Sequence, residues 1–288
     1  MNNNIVLVAE TGSDITPALA EEYGIHLVPM HVSMGQDTLD DGTFPLSQVF
    51  DYYNETGKVP QTSACAPSDF ERVFDEIHEK WAEKHILHLA YSAVTTCSYQ
   101  SACLAAEGRG YVTSVDTQQV SVGQAVAVMQ VAQYLNDHPD CRIEEAVKTA
   151  KRICSEVHMC FLPHNLDFLR AGGRVSNSVA LIGNILSLHP CIEIIDGKLL
   201  AKKKYRGRIE KVIQKLLHDF TDQYHPDRKH LYFVWSPGLS DAAKAVAEET
   251  ARELGYQKVT WLSTGCVISC HGGPGCFGIV GSNGTMTI

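Results

Sequence analysis

Ile5-Val6-Leu7-Val8-Ala9-Glu10-Thr11-Gly12-Ser13-Asp14-Ile15-Thr16-Pro17 is the stretch whose reading decides the fold class. Its five consecutive apolar residues form a short buried strand, followed by a polar loop. Thr16-Pro17 then opens a helix, with threonine as N-cap and proline in the first turn. Gly24 ends that helix, and residues 25–32 read as a second strand. The same alternation recurs further on. Residues 86–90 and 111–115 are strand patterns, and residues 99–107 and 120–136 are helix patterns. Ser68-Asp69-Phe70-Glu71 is a capping box for another helix, with Phe70, Val73, Phe74, Ile77 and Trp81 on one face. Repeated strand–helix units imply a parallel sheet covered by helices on both faces.

The second half has a different pattern. Ile192-Glu193-Ile194-Ile195-Asp196-Gly197-Lys198-Leu199-Leu200 is a hairpin with a two-residue Asp-Gly turn. Residues 231–235, 259–262 and 277–280 read as strands, and residues 209–219 and 241–254 as helices. This predicts a mixed sheet with helices on one face. The expected architecture is α/β in two domains. A three-layer α/β/α parallel-sheet domain at 1–158 precedes a two-layer α/β domain with a mixed sheet at 159–288.

The chain has 288 residues, a formal net charge of −9 and 44% hydrophobic residues, enough for full cores. The acidic balance argues against a nucleic-acid partner. The polar start Met1-Asn2-Asn3-Asn4 is no signal peptide, and no apolar run approaches the roughly 18 residues of a membrane span, so a cytoplasmic protein is expected. Ten scattered cysteines without C-x-x-C spacing read as free, buried thiols acting as small hydrophobes. No ligand spacing supports a metal, and no cofactor is expected.

Ligands of α/β sheets bind where strands lead into helices, which selects four hydroxyl-rich loops. These are Glu10-Thr11-Gly12-Ser13-Asp14, Thr62-Ser63, the run from Tyr91 through Ser92 and Thr96 to Ser98, and Asp116-Thr117-Gln118-Gln119. Hydroxyls and backbone N–H groups can hold an anion without bulk positive charge, although the same residues also serve simply as helix caps. Cys270-His271-Gly272-Gly273-Pro274-Gly275-Cys276-Phe277-Gly278 places one histidine in a glycine-rich segment, expected to present backbone N–H groups to an anion. Its literal G-x-G-x-x-G is followed by a strand pattern and fails as a dinucleotide fingerprint. Leu169-Arg170-Ala171-Gly172-Gly173-Arg174-Val175-Ser176 sets two arginines around two glycines, and Lys202-Lys203-Lys204-Tyr205-Arg206-Gly207-Arg208 is a basic run in an acidic protein. Each is either a solvated surface or a contact for an acidic group.

In this order the segments resemble the DegV family of bacterial fatty-acid-binding proteins, which includes the FakB subunits of fatty acid kinase. Leu169 to Ser176 is similar to the family's L-x-x-G-G-R-[IV]-S, and His271-Gly272-Gly273-Pro274-Gly275 to its H-x-G-P-G. Asp196-Gly197 leading to Arg206-Gly207, Tyr99-Gln100-Ser101-Ala102, and Thr62-Ser63 with Pro67 and Phe70 match in part. Departures are also present. The family's T-D-S-x-x-D is Ala9-Glu10-Thr11-Gly12-Ser13-Asp14 here, keeping only Asp14 of its two aspartates. Ala93, Cys97, Ala64-Cys65 and His189 replace a serine, a glycine, a Gln-Pro pair and a lysine of the family pattern.

The resemblance implies a long-chain fatty acid buried between the domains. Thr62, Ser63, Ser92, Thr96, His271 and Gly272 would surround its carboxylate, and no residue of this chain would be catalytic. It also implies a separate ATP-dependent kinase subunit that phosphorylates the carboxylate, docking on Arg170, Arg174 and Arg206, with transient membrane contact for lipid exchange. Two alternatives stay open: a small-ketone-binding subunit of dihydroxyacetone-kinase type, and a fatty-acid sensor with no kinase partner.

Overall fold

The computed structural model describes residues 4–164, 166–176 and 188–284. The expected polar start at residues 1–3 lies outside them. The chain runs β1 (Ile5–Glu10), a 3-10 turn (Thr11–Ser13), α1 (Pro17–Tyr23), β2 (Ile25–Val28), β3 (His31–Met34), β4 (Asp37–Asp40) and α2 (Ser47–Thr56). There follow β5 (Gln61–Ser63), α3 (Pro67–Lys80), β6 (His85–Ala90), α4 (Ser98–Ala105), β7 (Val112–Asp116), α5 (Ser121–Asp137) and α6 (Ile143–Glu156). The second half comprises β8 (Val157–Leu162), α7 (Leu166–Gly172), β9 (Val175–Ser176), β10 (Leu188–Ile195), β11 (Lys198–Arg206) and α8 (Ile209–Tyr224). It ends with β12 (His230–Trp235), α9 (Asp241–Glu253), β13 (Lys258–Ser263), α10 (Cys266–Gly272) and β14 (Phe277–Ser282).

The first sheet has four parallel strands in the order β2-β1-β6-β7. Alternation along β1 separates two cores. Val6 and Val8 face Phe70, Val73, Phe74 and Ile77 of α3, while Ile5, Leu7 and Ala9 face α5. Thr16 caps α1 as expected, accepting the Leu19 N–H at 3.3 Å, and Gly24 closes it at φ +65°. Two readings need correction. Residues 25–32 are two strands, because Pro29 lacks an N–H and the chain turns off the sheet there. β3 instead joins β4 and β5 in a separate antiparallel sheet of order β4-β3-β5. The capping acid of α3 is Asp69, which accepts the Ala66 N–H at 2.7 Å, so Pro67 and not Ser68 opens the helix.

The second sheet has seven strands in the order β13-β12-β14-β8-β10-β11-β9 and is mixed. β8 pairs within it from Val157 onward. Asp196 and Gly197 both have positive φ, +49° and +75°, as the tight hairpin turn requires. Period-two alternation again makes two faces. Cys160, Leu162, Leu231, Phe233 and Phe277 pack under α8 and α9, while Met159, Phe161, Ile192 and Val234 face inward to α5 and α6. α5 is consequently buried on both sides, between the sheets. Eight of the ten cysteines are buried free thiols, whereas Cys97 and Cys103 are exposed and depart from that expectation. Among the described residues no helix is long and apolar enough to cross a membrane.

Candidate functional site

A cleft of about 870 Å³, counting its open mouth, lies between the two sheets, within the roughly 300–1,000 Å³ typical of small-molecule sites. The second sheet supplies an apolar wall of Met159, Phe161, Val175, Leu199 and Val234, to which α7 adds Leu169. Met159 and Phe161 point there because β8 alternates, sending Cys160 and Leu162 to the opposite face.

The lining also carries polar side chains. Thr62 and Ser63 come from β5, Thr96 from the loop before α4, Arg174 from the turn after α7, and His271 and Gly272 from α10. Thr62 Oγ1 and His271 Nε2 are hydrogen-bonded at 2.9 Å across the cleft. The His271 ring is partly exposed, but its Nδ1 is buried without a hydrogen-bond partner. Burial, with the Arg174 charge adding to it, pushes the imidazole down to about 4. It is therefore neutral near pH 7 and donates from one nitrogen at most.

The glycines around this histidine do something other than present N–H groups to an anion. His271 sits in the last turn of α10, the end whose free groups are carbonyls. The N–H groups of Gly273, Gly275 and Cys276 are bonded to Ser269 O, Pro237 O and Ser236 Oγ. What the glycines provide is room. A Cβ on Gly172 would overlap His271 Nδ1, and one on Gly273 would press on Phe168 at 3.1–3.2 Å. Gly172 and Phe168 of α7 and the histidine motif therefore fit each other directly.

Of the four hydroxyl-rich loops, two reach the cleft with their hydroxyls. In the first, Thr11 Oγ1 accepts the Met30 N–H at 3.0 Å and Ser13 Oγ accepts the Ile15 N–H at 3.4 Å. In the fourth, Thr117 donates to Ala90 O at 2.7 Å. Ser92 does not line the cleft. It is fully buried, and its hydroxyl donates to Gly197 O at 2.8 Å, binding the hairpin tip of β10 and β11. Thr96 does line it, with Oγ1 3.2 Å from Ser98 Oγ. Arg170 is exposed and paired with Asp167 at 3.6 Å, Arg174 donates to Gly172 O at 2.7 Å, and Arg206 is exposed at the end of β11. His189 donates its Nε2–H to Gly207 O at 3.0 Å.

Two buried acids near the site were not assigned roles from sequence. Glu10, which stands where the family pattern has aspartate, is fully buried against His88 at 3.3 Å. Burial alone would raise its pKa, but His88 and hydrogen bonds from Tyr91 N–H and Gln124 hold it below the usual range. Asp14 bonds Ser121 and the Gly265 N–H, and burial, reinforced by the Asp41 charge, pushes it up to about 8. Glu10 directly follows the apolar run Ile5 to Ala9, which was a signal, whereas Asp14 lies past the 3-10 turn with no such mark.

The DegV family profile, a family of uncharacterised proteins, matches residues 4–283. A DegV domain-containing protein of Deinococcus radiodurans is 27% identical over 284 residues, 96% of this chain and 97% of its own. A fatty acid-binding protein of Thermotoga maritima is 25% identical, covering 95% and 96% of the two chains. The solved structure of a fatty-acid-binding DegV family protein from Thermus thermophilus superposes with a TM-score of 0.86 at 29% identity, over 97% of this chain and 99% of that one. Match of the profile over nearly the whole length, together with the same two-sheet architecture, establishes that this chain belongs to the DegV family.

Proposed function

We propose that this chain binds a long-chain fatty acid in the cleft, its acyl chain along the apolar wall and its carboxylate among Thr62, Ser63, Thr96, His271 and Gly272. The observation that carries this reading is the meeting of an apolar wall with the Thr62–His271 pair in one cleft. Fatty-acid binding by the Thermotoga and Thermus relatives supports it. Each buried methylene contributes about 0.8 kcal/mol, so a long chain supplies roughly 10 kcal/mol before ordering costs. A three-carbon ketone would leave that wall unused. The carboxylate needs donors once desolvated. Thr62, Ser63 and Thr96 each have a hydroxyl, His271 has one N–H to give, and Arg174 adds positive charge to the lining. Ser92, with its hydroxyl committed to the hairpin, has no place in this set.

We further propose that residues 1–158 and 159–288 act as two halves of a carrier that presents the acid to a separate ATP-dependent kinase subunit. Arg170, Arg174 and Arg206 are its docking contacts, and the chain itself does no chemistry. Mass spectrometry of gently purified, extracted protein tests the first step. A long-chain acid in near-stoichiometric amount is the expected result, and a bound short ketone with no lipid overturns it. Pull-down of a kinase subunit, lost in Arg206→Ala, tests the second, and lipid binding without any such capture leaves a sensor.

A further inference from the structure

α10 starts at Gly265, an N-cap with no side chain to satisfy the first N–H groups of the helix. Two acids from the first half of the chain satisfy them instead. Asp14 Oδ1 accepts the Gly265 N–H at 2.6 Å, and Asp41 Oδ1 accepts those of Cys266 and Val267 at 3.0 and 3.4 Å. A Cβ at 265 would crowd Asp14, lying 3.3 Å from its Oδ1, while meeting Asp41 Oδ1 in ordinary contact at 3.5 Å. Both acids are buried, 5% and 6% exposed, and both are anchored away from α10. Ser121 at the start of α5 bonds Asp14, and the Asp41 N–H bonds Met30 O at 2.8 Å. Cys266, Val267 and Cys270 complete the attachment by packing into the core formed with Phe70 and Phe74.

The other end of α10 carries His271, whose bond to Thr62 again reaches the first half. His271 lies five positions after Cys266, about 7.5 Å along the helix. A short rigid element transmits a shift at its start to its end with little loss, and a hydrogen bond tolerates only a few tenths of an ångström. Resting on the fatty-acid reading above, we propose that Asp14 and Asp41 are positioning residues. They clamp α10 so that His271 Nε2 is held where the ligand carboxylate arrives.

The test uses lipid-stripped full-length protein titrated with palmitate and, separately, with methyl palmitate, which has the same chain but no carboxylate. Asp41→Ala and Asp14→Ala should bind palmitate about tenfold more weakly while holding methyl palmitate nearly as well. Asp41→Asn, which keeps an oxygen acceptor, should restore most of the difference. Equal losses for both ligands, or unchanged palmitate affinity, overturn the proposal. Should the alanine variants fail to fold, Gly265→Ala keeps both acids but crowds Asp14 at the start of α10, and a smaller loss with the same selectivity is expected, with the same overturning results. The His271 imidazole ¹⁵N shifts give an independent reading. They should move in Asp41→Ala and return in Asp41→Asn, even if wild type binds neither ligand and the fatty-acid reading itself falls.

Discussion

The Thr62–His271 hydrogen bond joins side chains 209 positions apart, and each is held by something other than the bond itself. Thr62 is fixed by β5, paired through Val32 to β3, while His271 is fixed by α10 and by the space that Gly172 leaves. Thr62→Val keeps shape but removes the hydroxyl, leaving Nε2 with no partner and the carboxylate with one donor fewer. Loss of one such hydrogen bond to a charged group costs about 1.5–3 kcal/mol, so palmitate affinity should fall at least tenfold. Titration calorimetry checks this, and an unchanged affinity would remove Thr62 from the site. His271 also makes stability depend on pH. Its folded value of about 4 lies below the ordinary 6.5, so unfolding takes up a proton between those values. The stability gained by burying the neutral ring is whole above about pH 6.5 and is lost as pH falls toward 4. Unfolding midpoints measured from pH 7 to pH 4 should fall more steeply for wild type than for His271→Gln, which cannot take up that proton. Parallel curves would show that the ring is not buried in neutral form.

At the scale of elements, Ser92 shows how a motif can be read correctly and its role misplaced. Its hydroxyl reaches out of the β6–α4 loop to Gly197 O at the tip of the β10–β11 hairpin, and a Cβ on Gly197 would strike that hydroxyl and Val94. Ser92→Ala should therefore cost about 1 kcal/mol of stability and speed amide exchange at the hairpin tip, while leaving palmitate affinity within about twofold. A loss as large as that of Thr62→Val would instead return Ser92 to the carboxylate. Sequence made the regular elements legible, because β1 and β6 are short apolar runs buried on both faces, the β10–β11 hairpin carries an Asp-Gly turn, and α3 buries one face with helical period. The Thr62-Ser63 and His271-Gly272 segments were likewise singled out from sequence, and both line the cleft. Three short elements were not. β3 and β5 have four and three residues, too few for a period to show, and α10 has seven residues hidden in a run of cysteines and glycines. Missing α10 is why the glycines after His271 looked like an anion cradle. Their N–H partners, Ser269, Pro237 and Ser236, can be known only once the chain is folded.

At the scale of the whole molecule, the two sheets share a layer. α5 buries Val122, Val126 and Val128 with almost no exposure, and one core joins it to Leu7 and Leu87 of the first sheet and to Met159 and Val234 of the second. Polar side chains on α5 and in the segment just before it extend the same connection. Gln124 bonds Glu10 and Leu89 O in the first sheet, and Gln119 bonds Cys154 O and Val157 O where α6 meets β8. A helix with one apolar face could belong to one sheet alone, whereas a helix buried all round must lose both sheets when it leaves. The cleft lies at the head of this helix, with Val120 and Ser121 in its lining, so the geometry of the site depends on the same layer. The two sheets should accordingly unfold in a single transition. Val126→Ala, which removes two methyl groups from the shared core, should destabilise the protein by about 2 kcal/mol. Hydrogen exchange should then quicken by a similar factor in β1 and β6 and in β8 and β12 together, because one opening event exposes them all. Faster exchange confined to β1 and β6 would show instead that α5 belongs to the first sheet and that the cleft opens along its second-sheet wall.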